Sequence, residues 1–182
     1  MGFVVLGLLM TIGPQTLYSL RKVFEGGAAY FYSASFGSLQ SALKGLVAAD
    51  HVTVREATEN GRHKKIYEVT ASGEQAFHAW MRSPLEGDLE VAALARIFHL
   101  GLEKSPADRR EVLDGIVAAV ESQLAGLQEV EQAVAAQLAK APIPPELADV
   151  YTYQTATLEY GLMSHRASLD WLREFAAREA DA

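Results

Sequence analysis

The residues best suited to chemistry in this chain are cations that lie together. Arg62, His63, Lys64 and Lys65 follow directly on Asn60-Gly61. Asn-Gly is a strong hairpin-turn signal because both residues tolerate positive φ. A basic hairpin tip of this kind can contact phosphate or enter a minor groove. A second group has helical spacing: Gly37, Ser41, Lys44 and Ala48 turn one way, with Gln40 at the margin, while Leu39, Ala42, Leu43, Leu46 and Val47 turn the other. Its outer face is small, polar and weakly basic, so it can approach a groove closely.

Catalytic chemistry finds no such assembly. The five histidines, at 51, 63, 78, 99 and 165, include no i, i+4 pair on one helix and no HExxH. Gly26-Gly27 lacks the Lys-Ser/Thr of a phosphate loop, there is no serine elbow, and cysteine is absent. The expectation is therefore no catalytic residue, no metal and no cofactor.

These groups must be held by a chain of 182 residues with 49% hydrophobic and 21% charged content, ordinary values for a globular protein. Its net charge of -7 is unevenly spread. Residues 1–82 carry eight Lys/Arg against six Asp/Glu, whereas residues 83–182 carry eight against seventeen, so a mildly basic front precedes an acidic rear. The longest apolar run, Phe3 to Met10, falls far short of the roughly 20 residues that cross a bilayer. No Lys or Arg precedes it, as a secretory signal would require, and a cytoplasmic location without membrane attachment is expected.

Along the chain the pattern predicts a buried helix over Phe3 to Thr11, closed by Gly13-Pro14, and a second helix over Gln15 to Glu25 with Leu17, Leu20 and Phe24 on one side. A third begins at Ser35, a good N-cap. After Asp50 the period changes to two, and the hairpin strands Val52-Thr53-Val54-Arg55 and Lys65-Ile66-Tyr67-Glu68-Val69-Thr70 are rich in β-branched residues. Thr70 reads as the cap of a fourth helix, with Glu74 in its first turn and Ala76, Phe77, Trp80 and Met81 as its apolar stripe. Three helices and a basic-tipped hairpin are the layout of a winged helix-turn-helix.

Ser83-Pro84-Leu85-Glu86-Gly87 then breaks the chain, and a domain boundary is expected between residues 83 and 84. The rear half reads as helix throughout: Leu89 to Leu102, a long helix started by Ser105-Pro106, and a last one over Glu146 to Arg178 after Ala141-Pro142-Ile143-Pro144-Pro145. Leu113, Val117, Val120, Leu124 and Leu127 form a seam broken at Glu131 and resumed at Val134 and Leu138. Leu147, Tyr151, Leu158, Leu162, Leu169 and Leu172 line the last helix, with Trp171 and Phe175 beside them. Two such antiparallel helices expose more apolar edge than one pair can cover, and a symmetric dimer pooling four is the expectation. Its interface is assigned to Leu113, Val117, Val120, Leu124, Leu127, Leu158, Leu162, Leu169, Trp171 and Leu172.

Several segments carry a resemblance. Val5-Leu6-Gly7-Leu8-Leu9, Gly13-Pro14 with Tyr18 and Leu20, Ser35-Phe36-Gly37-Ser38-Leu39, Ala42-Leu43-Lys44-Gly45-Leu46 and Lys65-Ile66-Tyr67-Glu68-Val69-Thr70-Ala71-Ser72-Gly73 stand in the order and spacing of the PadR family. Residues 3–82 resemble that family's DNA-binding domain. Thr157-Leu158-Glu159-Tyr160-Gly161 and Leu169-Asp170-Trp171-Leu172 are similar to the helical C-terminal domain of its longer, virulence-regulator-like branch. The resemblance implies a mainly α fold, a winged helix-turn-helix with a two-stranded β-wing followed by an antiparallel helical dimerisation domain. It also implies a homodimer that regulates transcription on a two-fold symmetric double-stranded operator.

Ser38, Gln40, Ser41 and Lys44 are then candidates near base edges, Gln40 being suited to adenine. Tyr18 and Ser35 are candidates for phosphate, and Arg62, His63, Lys64 and Lys65 for wing contacts. The chain departs from the family at Gln40-Ser41, where the usual pair is Tyr-Pro. A small aromatic or hydrophobic effector could sit among Trp80, Tyr151, Tyr153 and Trp171. The alternative is a winged-helix module for protein or ligand binding that has lost DNA affinity.

Overall fold

The computed structural model describes residues 1–59, 62–141 and 143–180, the side chains of residues 59, 62 and 180 excepted. The Asn60-Gly61 turn and Pro142 of the later break thus lie outside the described residues. Packing divides the chain into Met1–Val112 and Leu113–Ala182.

In the first unit, α1 (Gly2–Ile12) is apolar on every side, and every residue from Val4 to Leu9 is buried, which makes it the central helix. Around it lie α2 (Leu17–Gly26), α3 (Phe36–Ala48) and α4 (Ala71–Arg82), each capped by a hydroxyl that its own sequence supplies. The Thr16, Ser35 and Thr70 oxygens accept from the backbone N–H of Ser19, Ser38 and Gly73 at 3.0–3.1 Å. Phe24, Phe77, Leu6, Leu9, Leu39, Leu43 and Met81 form the core, all at most 2% exposed.

The wing is β1 (Val52–Glu59) paired antiparallel with β2 (Arg62–Val69). A third piece of backbone joins it: Gln15 and Tyr67 exchange both N–H···O bonds, at 3.0 and 2.8 Å, so α2 starts two residues later than its apolar pattern predicts. The wing's base is tied to α4 as well. Thr70 Oγ1 donates to the Asp50 carbonyl, and an ideal Cβ on Gly73 would run into the His51 carbonyl, so only glycine allows α4 to pass there.

Beyond α4, α5 (Leu89–Phe98) is capped by Asp88 and stops short of the predicted Leu102, giving way to a 3-10 turn over Leu100–Leu102. The turn delivers Glu103, 2% exposed, to α4, where its carboxylate accepts from His78 Nδ1 at 2.7 Å and Arg82 at 2.8 Å. Arg82 also meets Asp108 at 3.0 Å and Glu111 at 3.4 Å, and the Arg109 guanidinium donates to the Glu103 carbonyl. A carboxylate taken out of water is tolerated because it is multiply paired. These ties bring residues 84–112 into the first packing unit.

His99 occupies the slot left by Gly7, whose ideal Cβ would lie 2.7 Å from the ring. Burial pushes its pKa down to about 4, with a backbone hydrogen bond at Val4 opposing the shift, and Nε2 has no partner. The ring is therefore neutral, packed edge-on against Phe77 and Phe98.

The long helix α6 (Pro106–Lys140) starts at the predicted Ser105-Pro106 signal, and α7 (Ala148–Ala180) follows a 3-10 turn over Pro145–Leu147. Within the second unit the two are antiparallel: Glu121 pairs with Arg173 at 2.7 Å, and Leu127 lies against Gly161. Leu113, Ile116, Val120 and Leu124 are buried from α6, and Leu162, Leu169, Leu172 and Ala176 from α7.

The residues expected at the interface differ in exposure. Leu113, Val120, Leu124, Leu162, Leu169 and Leu172 are buried within one chain. Val117, Leu127 and Leu158 are half-buried, and only Trp171 is largely exposed.

Candidate nucleic-acid interface

The candidate recognition helix is α3. Leu39, Leu43 and Leu46 anchor it inward, and Gly37, Gln40, Ser41, Lys44 and Ala48 all stand exposed, as their spacing predicts. Ser35 and Ser38 are partly committed to the helix itself. Besides the cap, the Ser38 hydroxyl donates to the Ser35 carbonyl at 2.8 Å, and the two hydroxyls lie 3.3 Å apart. They build the amino end of α3 rather than project from it as Gln40 and Lys44 do.

Helix α2 adds residues that apolar periodicity alone passed over. Tyr18 is 65% exposed, and the Lys22 ammonium lies 4.9 Å from its ring centroid. Arg21 pairs with Glu25 at 2.6 Å and holds its guanidinium 5.8 Å from the ring of Phe36, the first residue of α3. A basic pair one turn after an exposed tyrosine was the available signal for both cations.

The wing is less uniformly basic than its sequence suggests. The register sets Lys65 opposite Glu56 and Arg62 opposite Glu59, while His63 faces Thr58 and Lys64 faces Ala57. Strand alternation puts His63 and Lys65 on one face and Lys64 on the other. The His63 ring nitrogen Nδ1 lies 3.3 Å from Thr58 Oγ1 across the ladder. The cluster is thus a two-faced ribbon, with Glu56 opposite Lys65 diluting its positive field.

Of the four aromatics considered for an effector, Trp80 alone lines the cleft of about 730 Å³ in the first unit, whose walls come from α1, α4, α5 and the α4–α5 connection. Phe3 stacks on Trp80 at 5.3 Å, and the Arg96 guanidinium lies 4.6 Å from its centroid. Arg96, 3% exposed, donates to the Ser83, Pro84 and Ala92 carbonyls, and burial lowers its pKa against the opposing pull of Glu86. Tyr151, Tyr153 and Trp171 belong to the second unit, where Trp171 stacks on Phe175 at 5.2 Å. Among the described residues no cluster of His, Cys, Asp or Glu suits a metal ion, and no helix is long and apolar enough to cross a membrane.

Residues 5–79 match the model of the transcriptional regulator PadR-like family, and residues 93–178 match the virulence activator alpha C-term model. Among solved structures, the chain is similar to Bacillus subtilis PadR in complex with operator DNA, at 20% identity, 98% coverage of both chains and a TM-score of 0.43. It is similar to a PadR-like transcriptional regulator from Bacillus cereus, at 21% identity, covering 98% of this chain and 94% of that one, with a TM-score of 0.41. The Vibrio cholerae virulence activator AphA is 22% identical over 100% of this chain and 99% of its own, with a TM-score of 0.38. No curated protein matches. With a winged helix in front and the virulence-activator type of helical domain behind, the chain belongs to the PadR-like family of DNA-binding transcriptional regulators.

Proposed function

We propose that the chain is a cytoplasmic transcriptional repressor that binds a two-fold symmetric operator as a homodimer. The observation that carries this reading is the exposed face of α3, where Gly37, Gln40, Ser41 and Lys44 offer hydrogen-bonding groups with little bulk. Gln40, Ser41 and Lys44 would meet base edges, with Ser38 near them, and Tyr18 and Ser35 would hold phosphate beside the helix amino end. Arg62, His63, Lys64 and Lys65 would contact phosphate from the wing. Two copies would place their recognition helices about one duplex turn apart.

Binding to a fragment of its own promoter should weaken steeply as salt rises, and the Lys64→Ala, Lys65→Ala double variant, which removes two cations from each protomer of the dimer, should lower the log–log slope by about 4. Salt-independent binding, or none, would support the alternative module without DNA affinity, for which Glu56 opposite Lys65 speaks.

The dimer surface is reassigned to the outer face of α7. Tyr153, Tyr160, Met163 and Trp171 are 46–75% exposed and, by helical spacing, lie opposite the buried Leu162, Leu169 and Ala176. Sedimentation at micromolar concentration should give about twice 19.8 kDa. Tyr153→Glu with Tyr160→Glu should give the monomer mass at unchanged helicity. An effector of small aromatic or hydrophobic type would occupy the Trp80 cleft, whose wall includes the α4–α5 connection, and would release the operator.

A further inference from the structure

We propose that Phe36 is a specificity-determining residue that recognises the 5-methyl group of a thymine in each half-site, an inference that rests on the DNA-binding reading above. Phe36 opens α3, directly after the Ser35 cap, and is 46% exposed although no polar atom rewards its contact with water. The core beneath α3 is filled by Leu39, Leu43 and Leu46, so half of the phenyl ring is left outside. It stands one turn ahead of Gln40 and two ahead of Lys44 along the same edge of the helix.

The surroundings leave room for a base pair at that ring. Gly37 beside it is exposed, and the nearest atom to an ideal Cβ there is the Ser35 hydroxyl at 3.8 Å, so the backbone can come close to a groove floor. On the α2 side, the Arg21 guanidinium lies 5.8 Å from the ring centroid while it pairs with Glu25. Arg21 limits where the ring can swing and makes it part of a surface rather than a free side chain.

Recognition helices contact base edges through their amino-terminal residues. A phenyl ring neither donates nor accepts a hydrogen bond. In the major groove the apolar group that a base pair offers is the thymine methyl. A ring in this position would therefore prefer thymine to cytosine at one step, while Gln40 and Lys44 read the pairs that follow.

The test uses the full chain and an operator selected from the genome of its source. Each thymine is replaced in turn by deoxyuridine, which removes the methyl and leaves base pairing intact. One thymine per half-site should be found at which deoxyuridine weakens wild-type binding roughly fourfold, the factor expected for one buried methyl group. Phe36→Ala should weaken binding to the thymine operator and abolish that sensitivity, with its circular dichroism unchanged. Phe36→Leu, which keeps an apolar group, should retain part of it.

Selective wild-type binding that ignores every deoxyuridine, or a Phe36→Ala variant with wild-type sensitivity, overturns the assignment of Phe36 and leaves the DNA-binding reading standing. Absence of any sequence-selective binding overturns both.

Discussion

The two packing units meet the same need, burial of apolar surface, by different means. The first closes on itself: α1 is covered on all sides, its neighbours are capped by their own hydroxyls, and its buried carboxylate is paired twice. The second is two long antiparallel helices that bury one seam and leave Tyr153, Tyr160, Met163 and Trp171 in water. A short-helix unit can surround a central element with three or more others. A helical pair has only one shared face, so its outer faces stay apolar unless another chain covers them.

Cavity formation should separate the two means most strongly. Phe77, fully buried among Trp80, His78 and His99, belongs to the closed unit, and Phe77→Ala should cost about 4 kcal/mol by urea titration. A loss below about 1 kcal/mol would mean that the first unit is not closed as described.

Acid should come next. His99 is held neutral with its pKa near 4, below the ordinary 6.5 of an unfolded chain. Between those values the unfolded chain binds a proton that the folded one refuses. Stability is therefore full above pH 6.5 and falls as pH drops to about 4, by roughly 3 kcal/mol if His99 acted alone. Urea midpoints at pH 7 and 4.5 should show that fall in the wild type and a shallower one in His99→Gln. Equal slopes would remove His99 from the account.

The smallest effect belongs to the second unit. Glu121 and Arg173 meet at 2.7 Å with their side chains about half exposed, so Arg173→Ala should change stability by less than about 1 kcal/mol. A larger loss would show that polar contacts hold α6 to α7 more than the leucine seam does.

Local features of this fold were legible in advance. Ser35, Thr70 and Ser105-Pro106 mark helix starts because a cap needs only its own backbone, and Leu39, Leu43 and Leu46 mark the inner face of α3 because periodicity is local too. What depends on distant partners was not legible. A lone Glu103 carries no sign that His78 and Arg82 will come to it. The leucine spacing of α6 and α7 shows which faces are apolar but not whether the covering face belongs to the same chain. A run of four basic residues reads as one patch until the opposite strand sets Glu56 and Glu59 against it.

The pair of backbone bonds between Gln15 and Tyr67 also bears on how the wing folds. A hairpin of Thr, Lys, Arg and Glu has little apolar surface at its tip to define pairing, and a slip by one residue would exchange the faces of His63 and Lys65 with that of Lys64. Because Tyr67 must meet Gln15, a slipped β2 would forfeit both bonds at the base of the wing. The short connection between α1 and α2 thereby acts as a register pin at Val54–Tyr67, the third of the eight ladder pairs counted from Val52–Val69, and holds the five pairs beyond it in step.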